Sequence, residues 1–186
     1  AALSDQCAAK VIDGGKYKAE ITPIPMPPRK RDPILCDTDE HVRRDVSVEM
    51  MAILPRAFKK GGTVTAGNAC WLNDAASAVI LMNLDLAKEL GLKPLARIKS
   101  YQVSGVDPDY MGIGPVSAIQ GALKRAKLNL SDIDRFEIIE AFAAQYLACE
   151  KELGLDRDKV NVYGNGIALG HPVGATGCRL VAVSYT

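Results

Sequence analysis

His171 is one of two histidines in the chain, and it stands between Gly170 and Pro172 inside a run, 161–179, that also holds Gly164, Gly166, Gly174 and Gly177. An imidazole is the side chain best suited to exchange a proton near neutral pH. Chain so rich in glycine is costly to order, which points to a requirement for that backbone rather than to filler. Pro172 disfavours the helical region for the residue before it, so His171 is expected to be an extended loop residue that presents its ring. A helix expected over 175–183 would set unpaired N–H groups and a positive dipole end beside that ring. Together they could receive an oxygen carrying negative charge. Cys70 is a second candidate: it lies just before a helix expected to be capped by Asn73, a place where a thiol can become more acidic. With His171 as base, Cys70 could act as the nucleophile of a hydrolase or acyltransferase. The spacing Gly164-x-Gly166-x-x-x-Gly170 misses the dinucleotide fingerprint, and no phosphate-loop lysine follows it.

These side chains must be positioned by a real core, and 186 residues with 48% hydrophobic content allow one. A net charge of +1, with Arg29-Lys30-Arg31 as the longest basic run, argues against nucleic acid as a partner. No apolar stretch is long enough to span a membrane. The five cysteines are scattered without a Cys-x-x-Cys pair, so neither a metal site nor a disulfide framework is indicated. Reduced thiols fit a cytoplasmic location. The opening Ala-Ala-Leu-Ser-Asp has no initiator methionine or basic leader, which suggests a piece of something longer.

Local signals give the element order. Residues 4–13 read as a helix stopped by Gly14-Gly15, 17–24 as extended, and 23–33 as a proline-rich excursion. After an irregular charged stretch at 37–44, residues 48–58 carry helical apolar spacing broken by Pro55, and 63–66 read as a strand. A long helix is expected over 74–90, ended by Gly91, and it is apolar enough to be buried between layers. Further on come a strand at 96–105, a helix at 115–127 with proline at its first position, and a short strand at 136–139. A helix at 141–153 stopped by Gly154 and a strand at 159–162 lead into the glycine loop. Such alternation argues for an α/β fold with mostly parallel strands.

Several motifs together resemble the thiolase family, which makes or cleaves 3-oxoacyl thioesters of coenzyme A. Residues 62–74 (Gly-Thr-Val-Thr-Ala-Gly-Asn-Ala-Cys-Trp-Leu-Asn-Asp) are similar to that family's Gly-Thr-Val-Thr-Ala-Gly-Asn-Ala-Ser-Gly-Leu-Asn-Asp. Residues 111–115 (Met-Gly-Ile-Gly-Pro), 140–143 (Glu-Ala-Phe-Ala) and 167–174 (Ile-Ala-Leu-Gly-His-Pro-Val-Gly) are thiolase-like as well, in the same order. The resemblance implies a partial thiolase-like fold: residues 1–61 as the tail of an inserted loop domain that binds the cofactor, 62–112 as the end of a first α/β half, and 113–186 as a truncated second half. It also implies that the acylated cysteine of the first half and the later Cys-x-Gly motif lie outside this chain. An isolated chain would then be inactive or a non-catalytic remnant. By the resemblance, full-length relatives are expected to be homo-oligomers.

By the same resemblance His171 is the Gly-His-Pro histidine that polarises the nucleophilic cysteine and helps to bind the enolate oxygen. Coenzyme A enters as substrate or product, with no covalently bound cofactor and no metal. The matching contacts are Arg43 at its nucleotide end, Leu54 and Phe58 along its course, and Ala66 with Cys70 beside the pantetheine arm. Met111, Ala141 and Phe142 would line the acyl pocket. Ile139 stands where the family has an asparagine that holds the oxyanion water, Cys70 replaces a serine, and Trp71 replaces a glycine. Losing one oxyanion donor typically costs roughly a hundred- to a thousand-fold in turnover.

Overall fold

The computed structural model describes residues 1–27 and 34–184. Six residues of the proline-rich stretch, with Arg29-Lys30-Arg31, lie outside the described residues. The chain opens with α1 (Ala2–Asp13), which buries Ala2, Ser4, Asp5, Ala8 and Val11 along one face. A 3-10 turn, Lys16–Ala19, follows at once, so only the end of the extended stretch expected over 17–24 is strand. That end is β1 (Ile24–Met26), which pairs antiparallel with β2 (Ile34–Cys36) in the register Ile24 to Cys36. Ser47 caps the short α2 (Val48–Ala52) by accepting from Met50 N–H, and helix ends there, ahead of Pro55.

The second part holds the best-packed core. α4 (Gly114–Ala126) carries Pro115 in its first turn and ends on Lys127 in the left-handed region, and α5 (Ala143–Leu153) ends on left-handed Gly154. Ile138, Leu155 and Val160 are buried at its centre, packed on by Ile119, Leu130, Phe136, Tyr146 and Leu153. Phe136 and Val160 form one parallel bridge. The ladder then stops, because Asn161 turns to φ 48° and its side chain does the work of a strand. Asn161 Oδ1 accepts from Ile138 N–H at 2.9 Å, and its Nδ2 donates to Ile138 O at 2.8 Å. A side-chain amide here takes the place of the next ladder rung. The strands expected at 136–139 and 159–162 are therefore reduced to one bridge. Beyond them come a one-turn helix not anticipated from sequence, α6 (Gly166–Leu169), and α7 (Val173–Val183).

Three expectations for the middle of the chain are corrected. Residues 63–66 do not form a strand; Thr65 makes a single bridge to Arg56, while Asn68 captures Thr65 N–H at 2.8 Å and Thr63 O at 2.9 Å. Residues 74–90 are not one long helix: only α3 (Leu84–Glu89) is helical, capped by Asn83 rather than Asn73. A helix that is apolar all round depends on burial for its stability, and here Ile80 and Leu81 are 87% and 68% exposed. Residues 96–105 have no ladder partner among the described residues and lie along α4 instead. Ser100 Oγ donates to Ala122 O at 2.7 Å, and Ser104 and Ser117 hydroxyls meet at 2.7 Å. With these corrections the chain is a mixed helix and sheet molecule with a partial thiolase-like fold.

Candidate active site

His171 occupies the short connection between α6 and α7. Gly170 before it has φ 92°, a conformation that favours glycine, and Pro172 after it is the N-cap of α7. The ring is fixed by hydrogen-bond logic. Thr176 Oγ1 has one proton, which it donates to Pro172 O at 3.0 Å, so at 2.8 Å from His171 Nδ1 it can only accept. Nδ1 therefore carries a proton, and in the neutral ring Nε2 is left as a lone pair with no hydrogen-bond partner among the described residues. Partial burial, then the positive charge of Arg179, holds the His171 pKa below its ordinary value, which favours that neutral form. A neutral Nε2 can take a proton from a thiol, and once protonated it can donate to an oxygen that gains negative charge.

The loop 65–70 gathers most of the other predicted residues. Cys70 N–H donates to Ala141 O at 3.0 Å and Ala143 N–H to Asn68 O at 2.9 Å, so Ala69 and Phe142 form an antiparallel bridge. Phe58 stands edge-on to Phe142 with ring centroids 6.1 Å apart. Leu54 packs on Gly67, where an added Cβ would sit 2.5 Å from its Cδ1, and Ala66 is exposed beside it. Arg43 reaches the same loop, with Nη2 donating to Gly67 O at 3.2 Å. Its guanidinium is not free, however. Nη2 is 2.7 Å from Oδ2 of the fully buried Asp5, and Arg43 Nε and its main-chain N–H also donate to Asp5 Oδ1. Met111 is not drawn into this group; it is 72% exposed on the 3-10 turn Pro108–Ile113.

Cys70 is not set up as a thiolate. Burial pushes its pKa up, its own backbone amide opposes only part of that, and the helix expected to start after Asn73 is absent. No hydrogen bond joins Cys70 to His171 among the described residues. Glu140 is buried and receives Ser4 Oγ at 2.6 Å, Asn161 Nδ2 at 3.3 Å and Ile167 N–H at 3.4 Å; burial raises its pKa. Ile139 turns toward Gly166, where a Cβ would meet its Cδ1 at 2.8 Å. Trp71 packs edge-on against His41 with centroids 5.3 Å apart. Sequence reasoning missed Thr176 and Asn73 as holders of the histidine loop. The threonine's signal is its place in the first turn of the following helix, whereas Asn73 carries the sequence signature of a helix cap.

Two family models match the chain: thiolase, N-terminal domain, over residues 1–85, and thiolase, C-terminal domain, over residues 92–186. The chain is 55% identical over 181 residues to the acetyl-CoA acetyltransferase of Pseudomonas aeruginosa, covering 97% of this chain and 46% of that protein. It is 53% identical over 178 residues to the Chromobacterium violaceum acetyl-CoA acetyltransferase, covering 96% and 45%. Among solved structures, the Bacillus anthracis acetyl-CoA acetyltransferase superposes with a TM-score of 0.90 at 51% identity, covering 96% of this chain and 45% of that one. Human mitochondrial 3-ketoacyl-CoA thiolase in complex with CoA gives 0.84 at 46% identity, covering 96% and 44%. The chain thus spans less than half the length of these relatives. Both halves of its sequence match, at high identity and with the same backbone, and on that ground the chain belongs to the thiolase family.

Proposed function

We propose that this chain supplies the oxygen-binding and coenzyme A-facing parts of a thiolase-type acyltransferase, which condenses or thiolytically cleaves short 3-oxoacyl thioesters of coenzyme A. The observation that carries this reading is the His171 ring, held through Nδ1 by Thr176 with Nε2 left available. In such a reaction a cysteine thiolate attacks the thioester carbonyl and coenzyme A leaves as its thiol. His171 Nε2 takes the cysteine thiol proton, hydrogen-bonds as imidazolium to the substrate oxygen while the adduct forms, and passes that proton to the departing coenzyme A sulfur. Coenzyme A acts as substrate or product, with Leu54, Phe58, Ala66 and Cys70 along its arm and Ala141, Phe142 and Met111 toward the acyl group. Arg43 acts through the shape of the 65–70 loop, since Asp5 already engages its guanidinium. We divide the chain at residues 61 and 112 into the tail of a cofactor-binding insertion, the end of one α/β half and part of the next. Its scattered thiols favour a reducing compartment, and we place it in the cytoplasm.

We further propose that these 186 residues alone do not turn substrate over, because no cysteine among the described residues pairs with His171. Calorimetric titration with coenzyme A, followed by a thiolysis assay with acetoacetyl-coenzyme A, tests both statements. Heat without turnover is expected. Turnover abolished by Cys70→Ala would overturn the assignment in favour of Cys70 as nucleophile, and no heat at any ligand concentration would remove the coenzyme A contacts.

A further inference from the structure

The two histidines of the chain are joined through one amide. Asn73 Oδ1 lies 3.3 Å from the His171 main-chain N–H, and Asn73 Nδ2 lies 2.9 Å from His41 Nε2. The direction of each bond follows from what the partners can do. A main-chain N–H only donates, so the Asn73 atom that faces it must be the oxygen. The NH2 end is thereby turned to His41, whose Nε2 must accept as a lone pair. His41 is held in place from two other sides: Trp71 packs edge-on against its ring, and its main-chain N–H donates to Asp39 Oδ1 at 3.1 Å. The Asn73 amide also lies against Gly170, where an added Cβ would come within 2.6 Å of Asn73 Cγ and 2.9 Å of its Nδ2.

We propose that His41 is a positioning residue for His171, acting through the Asn73 amide. An acceptor at His41 Nε2 keeps the Asn73 oxygen on the His171 N–H, and that contact sets where the loop presents the catalytic ring. Remove the acceptor and the amide is free to rotate, which leaves the His171 N–H without a partner. The proposal deepens the reading of His171 as the oxygen-facing group and rests on it for its functional consequence. Its test reads the loop itself, so it fails separately from coenzyme A binding.

Amide hydrogen exchange followed by NMR on the 186-residue chain is the experiment. His41→Ala is expected to lower protection of the His171 amide roughly five- to tenfold, the size of one lost hydrogen bond. His41→Gln, which returns an acceptor oxygen near the Nε2 position, is expected to restore it. Asn73→Ala should lose as much as His41→Ala, and the double variant no more than either. Amides around Ile138 and Val160 should not change. Unaltered His171 protection in His41→Ala, equal loss in His41→Gln, or additive losses in the double variant would each overturn the proposal. A second reading on the unaltered protein covers variants that do not fold. Protonating His41 removes its acceptor, so the His171 amide nitrogen shift should follow the His41 ring titration as well as its own. The charged groups beside this relay are Asp39 at His41 and Arg179 at His171. A His171 amide that follows only its own ring would contradict the relay.

Discussion

Gly170 and Arg43 show how single residues hold the site together. At Gly170 a side chain would be strained at φ 92° and would press on the Asn73 amide. Gly170→Ala is therefore expected to cost about 1–3 kcal/mol in urea unfolding and to displace the His171 signals. Among the described residues Arg43 is the one cation in salt-bridge contact with the fully buried Asp5 carboxylate. Truncating one partner of such a pair strands the other charge, so Arg43→Ala is expected to lower stability by roughly 3–5 kcal/mol. Loss of less than about 1 kcal/mol would mean that water replaces the guanidinium, as at a surface pair. The glycine and proline flanking His171 were legible in sequence because they act on their own neighbours. Asp5 as the partner of Arg43 was not, since nothing local links positions 38 residues apart.

At the level of elements, the helices of the second part of the chain were legible in sequence, whereas its strands and the middle of the chain were not. The helix stop at Gly154 is set by residues within one turn, so its sequence signal survives any tertiary context. The helix expected over 74–90 and the strand over 96–105 depend on surfaces and ladders far along the chain. Amides of residues 73–83 are accordingly expected to exchange almost unprotected, while those of α4 and α5 are protected. Protection across 73–83 equal to that of α5 would restore the long helix. The network on Glu140 makes a separate prediction about pH. Burial raises its pKa above the ordinary carboxylate value, so the folded state holds a proton that the unfolded state releases. Its contribution to stability is full below the ordinary carboxylate pKa and is lost as pH rises through the folded value. Urea midpoints measured from pH 4 upward should fall less steeply in Glu140→Gln than in the parent chain. Identical slopes would show that Glu140 titrates as it does when unfolded.

For the molecule as a whole, the outstanding feature is apolar surface. Leu72, Ile80 and Val103 are 101%, 87% and 83% exposed, and all lie in the segment between Cys70 and α4. Patches of that kind drive association in water. Sedimentation velocity is expected to show concentration-dependent self-association, reduced by Ile80→Lys with Val103→Lys. A concentration-independent monomer would contradict it. The family was legible because four motifs fall in order between residues 62 and 174, whereas the exposed middle was not, because burial is a property of everything packed around a residue.

The central claim is that His171 faces the oxygen of a coenzyme A thioester. The most direct measurement is the ring signal of His171, one of only two histidine ring signals in the chain, followed by NMR as acetoacetyl-coenzyme A is added. A saturable shift is expected at His171, weakened when Gly170→Ala displaces the loop, with the thioester left intact. A His171 signal that stays unmoved while residues 54–70 report a bound ligand would contradict it.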